Sequence, residues 1–459
     1  MKHFYLIIAW LGSFLMAARG QSNAPHVSGK VDIQLGEGVI RSDLSLSNLP
    51  ALGKQYKLLL YRGFNIGLLR NDTGQVLKYG GFYDDKFSGE ATAYLPYTQN
   101  DTLALPAKLR VTYTGAFPIY TDTLNSFDFK GLIAFNGKTV RAAEQSKWYP
   151  VIYDVKNDRE LLEVTYDIEV TCKDCQTIYI NGSAPQAGPS GKFHSTIPRQ
   201  LLLFAGNYVV QALPNSTFLN ADLSADEAAV FNENIGSIIN FYRFYLQVPY
   251  GEKITFMQHR SVEPFGPKRS WGFVTFPTIA VAGKPFKSEI DTQKRLFKNI
   301  YSYYFYSHEL GHYYYGQSAP ANSTLKWFFL ESMAEFLSIK AAENKYGKEA
   351  TQKYIAERKP LMKDWKVKPL SQISSPNQIG DGYRYTYAPM ILLAMEKNFG
   401  SKTVQRFCRN ILQNAGQRTD YPFLVKMVKS AGVNDKDWKA FEATVMEQTE
   451  CNKIFDHLP

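Results

Sequence analysis

Histidine and cysteine are scarce in this chain, at seven and four of 459 residues. So few cysteines exclude a disulfide-built scaffold. Cys172 and Cys175 in "CKDC" resemble half of a zinc knuckle, but no second close pair completes one. Beyond the first twenty residues no apolar run approaches the roughly 20 residues that a membrane-spanning helix needs. Internal repeats and low-complexity tracts are missing, which excludes a solenoid. The formal charge is +10, yet lysine and arginine are scattered, and no basic stripe with interleaved aromatics is found. A nucleic-acid partner is therefore not expected.

What is present begins with "MKHFYLIIAWLGSFLMAARG": Lys2, an apolar run from Phe4 to Ala18, and small residues at Ala18 and Gly20. That order is expected of a signal peptide over residues 1–20, cut before Gln21, with a product that is periplasmic or secreted and keeps no integral membrane segment. Loss of Lys2 and Arg19 lowers the formal charge from +10 to +8. In an oxidising compartment the four cysteines would form two disulfides. The sequence does not fix their pairing; Cys172–Cys175 with Cys408–Cys451 is the arrangement considered. Its long loop would staple the C-terminal helices.

The expected fold class is α+β. Residues 21–212 read as an antiparallel β saddle or sandwich. In "LEVTYDIEV", Leu162, Val164, Tyr166, Ile168 and Val170 alternate with polar residues, and Leu109, Val111 and Tyr113 repeat the pattern. Residues 213–459 change character. A helical run follows cap-like residues near Ser224, strand-like segments return between Ile254 and Ala282, and helices dominate from Asp291 onward.

Within that half, "YSHELGHYYYG" places His308 and His312 four residues apart, on one helical face, with Glu309 about 100° away. Two imidazoles so placed converge on one ion, and Glu309 lies beside its open side. Hydrolytic zinc takes three protein ligands and keeps a fourth position open. The next helical run, "LKWFFLESMAEF", offers Glu331, whose burial among Trp327, Phe328 and Leu330 would be costly without a partner. Glu335, one turn on, is placed to hold the tautomer of a ligand histidine. The expected centre is one Zn2+ per chain on His308, His312 and Glu331, with Glu309 as general base.

These residues resemble the aminopeptidase N family of gluzincin zinc metallopeptidases, which includes the leukotriene hydrolases. Eighteen residues separate His312 from Glu331, as in that family. "HELGHYYYGQ" is similar to its "HELAHQWFGN", and "WFFLESMAEF" to its "WLNEGFAEY". "GPKRSWGFVTF" is similar to its cleft strand "GAMENWGLITY". The resemblance implies a saddle-like β domain on a thermolysin-like catalytic domain, peptide substrates, and a tyrosine that stabilises the oxyanion. Register with the family's "Y-x-K-G-A" favours Tyr385, with Tyr383 and Tyr387 as alternatives. The family's large helical C-terminal domain has no counterpart here, since about three helices follow Gly400.

The chain departs from the family where the substrate's amine is held. The family uses two glutamates. Here Arg269 stands at the first position, ahead of Trp271 and Gly272, and Arg141 aligns with the second. Four explanations stay open. Glu144 or Glu263 would restore the anion; the arginines would select carboxylates; the cleft would cut internally; or Arg269 would serve only a structural ion pair. An exported metallopeptidase with altered recognition of the substrate's end is the leading expectation. A retired scaffold that binds carboxylate-bearing ligands is the alternative. Oligomeric state is not legible.

Overall fold

The computed structural model describes residues 24–459 except 85–86, 88–90, 99–100, 122–126, 215 and 263–270. The leader segment, Glu263 and Arg269 lie outside the described residues.

The β-rich half carries three sheets. The first runs Ser190–Gln200, Glu163–Cys172, His26–Gln34, Val39–Ser47, Leu109–Ala116, Phe64–Arg70 in spatial order. Alternation does what period two requires. Val164, Tyr166, Ile168 and Val170 are buried on one face of their strand, as are Leu109, Val111 and Tyr113 on theirs. One departure from an all-antiparallel reading is the parallel pairing of His26–Gln34 with Glu163–Cys172. The second sheet is built around Tyr56–Tyr61, and the third around Leu203–Gly206 and Thr139–Ala142.

A mixed five-stranded sheet opens the helical half: Val210–Ala212, Ser216–Leu219, Ile254–Gln258, Thr278–Ala282, Trp271–Thr275. Because Val210–Ala212 pairs with Ser216–Leu219, this sheet begins just before the boundary expected at residue 213. The edge strand Trp271–Thr275 runs antiparallel to its neighbour. A small cluster including Tyr179, Phe204, Met257 and Phe273 packs this sheet on the third sheet of the β half. Each half otherwise buries a large core of its own.

Among the described residues this half has eight α-helices: α1 (Ala225–Leu246), α2 (Ile300–Gly311), α3 (Met333–Tyr346), α4 (Lys348–Arg358), α5 (Ala388–Phe399), α6 (Ser401–Gln413), α7 (Tyr421–Ser430) and α8 (Asp435–Phe441). α1 starts at a capping box formed by Ser224 and Glu227. α2 starts later than the unbroken run from Asp291 suggested. Ile290–Asp291 pairs with Leu296–Phe297 as a hairpin, and Asn299 then caps the Ser302 amide at 2.9 Å.

Only one of the two disulfides considered is formed. Cys172 is bonded to Cys175, whereas Cys408 and Cys451 are free and buried. Both lie in the core of the helical half, Cys408 near Tyr245 and Tyr315, and Cys451 near Tyr383 and Tyr387.

Candidate active site

α2 and α3 pack closely because Gly311 lacks a side chain: a Cβ there would sit 3.2 Å from the Ala334 Cα. This approach brings the histidine end of α2 against the start of α3. Three irregular segments border the contact: a kink with non-helical backbone at Tyr315 and Gly316 within Tyr313–Ser318, and single π turns at Phe328–Ser332 and Tyr383–Tyr387. A π turn holds one extra residue and is common at functional sites. The first returns the Tyr315 carbonyl to His312, with Gly316 at φ 149° completing the reversal. The second carries Glu331, and the third carries Tyr385.

His308, His312 and Glu331 offer ligand atoms that all lie within 4.8 Å of one another. Glu331 Oε2 is 3.2 Å from His308 Nε2 and 3.5 Å from His312 Nε2. A tetrahedral zinc with bonds of about 2.0–2.1 Å would separate its ligands by about 3.3 Å. The remaining ring nitrogens are engaged: His308 Nδ1 donates to Glu335 Oε2 at 2.8 Å, and His312 Nδ1 to the Tyr315 carbonyl at 3.3 Å. Both Nε2 lone pairs therefore face a carboxylate oxygen, and three acceptors aimed at one point require a cation. The donor set fits Zn2+.

Electrostatics give the same answer. Burial opposes charge on His308, yet Glu331 and Glu335 outweigh it and hold the imidazole well above its ordinary range. Burial likewise pushes Glu331 up, but His312 and His308 hold it well below the usual carboxylate range. Glu309, half-buried beside these groups, is raised by burial against the pull of the two imidazoles. A carboxyl so tuned is a better proton acceptor than an ordinary one.

Of the three candidate tyrosines, only Tyr385 packs against a metal-ligand ring, with its centroid 5.8 Å from that of His308. Burial and the neighbouring Glu331 carboxylate push its phenol well above the usual range, so it stays a donor. Tyr383 turns away and donates to the Lys368 carbonyl, and Tyr387 is buried beside Tyr383.

Two of the residues considered for the substrate's end, Arg141 and Glu144, prove to be internally committed. Arg141, only 4% exposed in its side chain, pairs with Asp128 at 2.7 Å and donates to the Phe129 carbonyl at 2.8 Å. Its guanidinium also lies over the rings of Trp271 and Phe273. Glu144, 6% exposed, pairs with Lys130 at 2.6 Å and accepts from the Thr275 hydroxyl at 2.9 Å. Lys130 also donates to the Val274 carbonyl, tying the loop around residue 130 to the edge strand. Trp271 opens that strand, and a Cβ on Gly272 would meet Phe305 and the Ala280 carbonyl.

Several contributors were not foreseen. The Tyr354 hydroxyl donates to Glu335 Oε1 at 2.7 Å and lies 3.0 Å from the Tyr385 carbonyl, so one side chain braces both. Arg358 stacks on Tyr354, 3.6 Å from the same Glu335 oxygen. The spacing Tyr354–Arg358 on α4 is the only sequence signal for this pair. Lys130 and Asp128 left no signal, because their partners Glu144 and Arg141 lie on other elements, which periodicity along one element does not connect.

No protein-family model matches the sequence, and no curated protein matches it. Solved structures do. An M1 zinc metallopeptidase from Deinococcus radiodurans, a point mutant bound to a Tyr-Ser-Ala substrate, superposes with a TM-score of 0.64 at 13% identity, covering 92% of this chain and 94% of that one. A second structure of an M1 zinc metallopeptidase from that organism gives 0.60 at 14% identity, covering 91% and 92%. The chain thus has the fold of the M1 zinc metallopeptidases, as the resemblance implied.

Proposed function

We propose that this protein is an exported, zinc-dependent metallopeptidase on an aminopeptidase-like scaffold with altered recognition of the substrate's end, with a thermolysin-like catalytic half and one Zn2+ on His308, His312 and Glu331. One observation carries the reading: two imidazole lone pairs and a carboxylate oxygen face one point, with Glu309 and Tyr385 beside it. The neighbouring M1 structures support it through the fold, and the Cys172–Cys175 disulfide supports export.

When bound, the metal supplies Lewis-acid polarisation of the scissile carbonyl and of water. Glu309 takes the proton of the attacking water and returns it to the leaving amine. The Tyr385 hydroxyl donates to the oxyanion as it develops. Glu335 and the Tyr315 carbonyl hold both imidazoles in the tautomer that exposes Nε2. Among the described residues no strand pairs with the outer edge of Trp271–Thr275, along which an extended peptide can lie, although Lys130 already takes the Val274 carbonyl.

The test is metal analysis combined with hydrolysis of a peptide library by wild type and Glu309→Gln. Zinc near one equivalent, with turnover at least a thousandfold lower in the variant, is expected. Equal hydrolysis by the two proteins removes the assigned base. Metal-bound protein with no turnover of any peptide would favour the retired scaffold.

A further inference from the structure

The indole of Trp327, four residues before Glu331, is approached by two cations. Arg384 Cζ lies 4.4 Å from its ring centroid and Lys326 Nζ lies 4.9 Å from it. Arg384 immediately precedes Tyr385 and its guanidinium carbon is 5.1 Å from that ring. Neither charge is well compensated. Among the described residues Arg384 pairs only with Asp381, three residues earlier and 81% exposed, and its buried Nε meets no hydrogen-bond partner. Among the described residues Lys326 pairs with no carboxylate. Glu160 and Asp158, which act on it through space, are engaged elsewhere, Glu160 with Lys147 at 3.0 Å and Asp158 with the Tyr153 hydroxyl at 2.5 Å. Burial accordingly pushes the Lys326 ammonium down against the weaker pull of those two carboxylates.

We propose that Arg384 and Lys326, over Trp327, form a carboxylate-binding subsite of the cleft, so that this protein selects peptides bearing a carboxylate near the cleaved bond. This rests on the peptidase reading for its substrate class. Arg384 offers the planar donor fork that carboxylates take up, and the indole fixes that fork in place. From ring to ring to guanidinium, the path from His308 spans on the order of 11 Å at most. At about 3.3–3.6 Å per extended residue, the carboxylate lies within about three residues of the scissile bond. Two sources meet that description: the free C-terminus of a short peptide, or an acidic side chain.

The experiment is calorimetric binding to the zinc-loaded, non-hydrolysing Glu309→Gln protein, alone and combined with Arg384→Gln, Arg384→Lys or Lys326→Gln. The probes are a neutral tripeptide with a free C-terminus, its C-terminal amide, and an amidated peptide carrying one glutamate. Zinc content measured on every protein shows that the centre is intact. A carboxylate-bearing probe should bind at least tenfold tighter than the neutral amide. That preference should vanish in Arg384→Gln, shrink in Lys326→Gln and partly survive in Arg384→Lys. Preference for the free tripeptide assigns the C-terminus, and preference for the glutamate peptide assigns a side chain. Equal affinity for all three probes, or a preference unchanged by Arg384→Gln, overturns the subsite. Hydrolysis of the neutral amide by wild type tests the peptidase reading separately, so either idea can fail alone.

Discussion

Glu335 Oε2 lies 2.8 Å from His308 Nδ1, while the other oxygen of the same carboxylate accepts from Tyr354 at 2.7 Å. The carboxylate therefore fixes a ligand's orientation and is itself fixed. Glu335→Gln should weaken zinc binding about 10–100-fold, measured by competition with a chromophoric chelator. Tyr354→Phe should do so less, because Arg358 still faces the carboxylate. Unaltered zinc affinity in Glu335→Gln would show that the contact orients nothing.

Tyr385→Phe removes one hydroxyl beside the centre. Its kcat should fall about 100–1,000-fold with KM and zinc content nearly constant, the pattern of a donor acting on the transition state. Tyr383→Phe, whose hydroxyl bonds the Lys368 carbonyl, should keep its turnover. The reverse ranking would reassign the oxyanion donor.

Gly311 permits the α2–α3 contact. Gly311→Val places branched carbon against Ala334 and should destabilise the protein by about 1–3 kcal/mol, seen in thermal unfolding. Zinc affinity should drop with it, since Glu331 reaches His308 only across that contact. A variant as stable and as metal-avid as wild type would mean the helices part without cost.

Arg141 and Glu144 are both spent on internal partners, so neither is free to hold or repel a substrate amine. A peptide and its N-acetylated form should then be cleaved at rates within about threefold of each other. Arg269 and Glu263 enter this comparison only through the measurement. Loss of all turnover on acetylation would place an amine anchor elsewhere in the cleft.

His259 is buried against Trp271, with Nδ1 3.3 Å from Arg141 Nη1. Burial first, and then the Arg141 charge, hold it well below its ordinary range. Its folded pKa lies under its unfolded one, so the unfolded chain binds the extra proton as pH falls below about 6.5. Stability from this group is complete above that pH and declines below it, by up to about 1.4 kcal/mol per pH unit. Denaturant titrations at pH 7.5, 6 and 5 should show a shallower loss in His259→Gln than in wild type. Parallel losses would mean that His259 is protonated in the fold.

Local periodicity made much of this protein legible. The alternation around Tyr166 and Tyr113 gave strands whose buried faces follow from period two. His308 and His312 share a helical face because residues four apart must. Glu331 and Glu335 were legible for the same reason, being fixed by spacing along a second helical segment. What spacing does not encode is a partner on another element. Asp128 neutralises Arg141, Lys130 neutralises Glu144, and Tyr354 braces Glu335, each from a different element. Cys408 and Cys451 look like a pair in sequence, yet both stay free in the core.

The sequence alone determined which side chains are able to bind a metal and which helical faces they occupy, since both follow from residue chemistry and helix geometry. Tertiary structure decided the rest: that π turns carry Glu331 and Tyr385 to the centre while a kink returns the Tyr315 carbonyl to His312, and that the cations near the cleft divide into the well and the poorly compensated. Charge is a property of a residue, but its availability depends on what folding brings within a few ångströms of it.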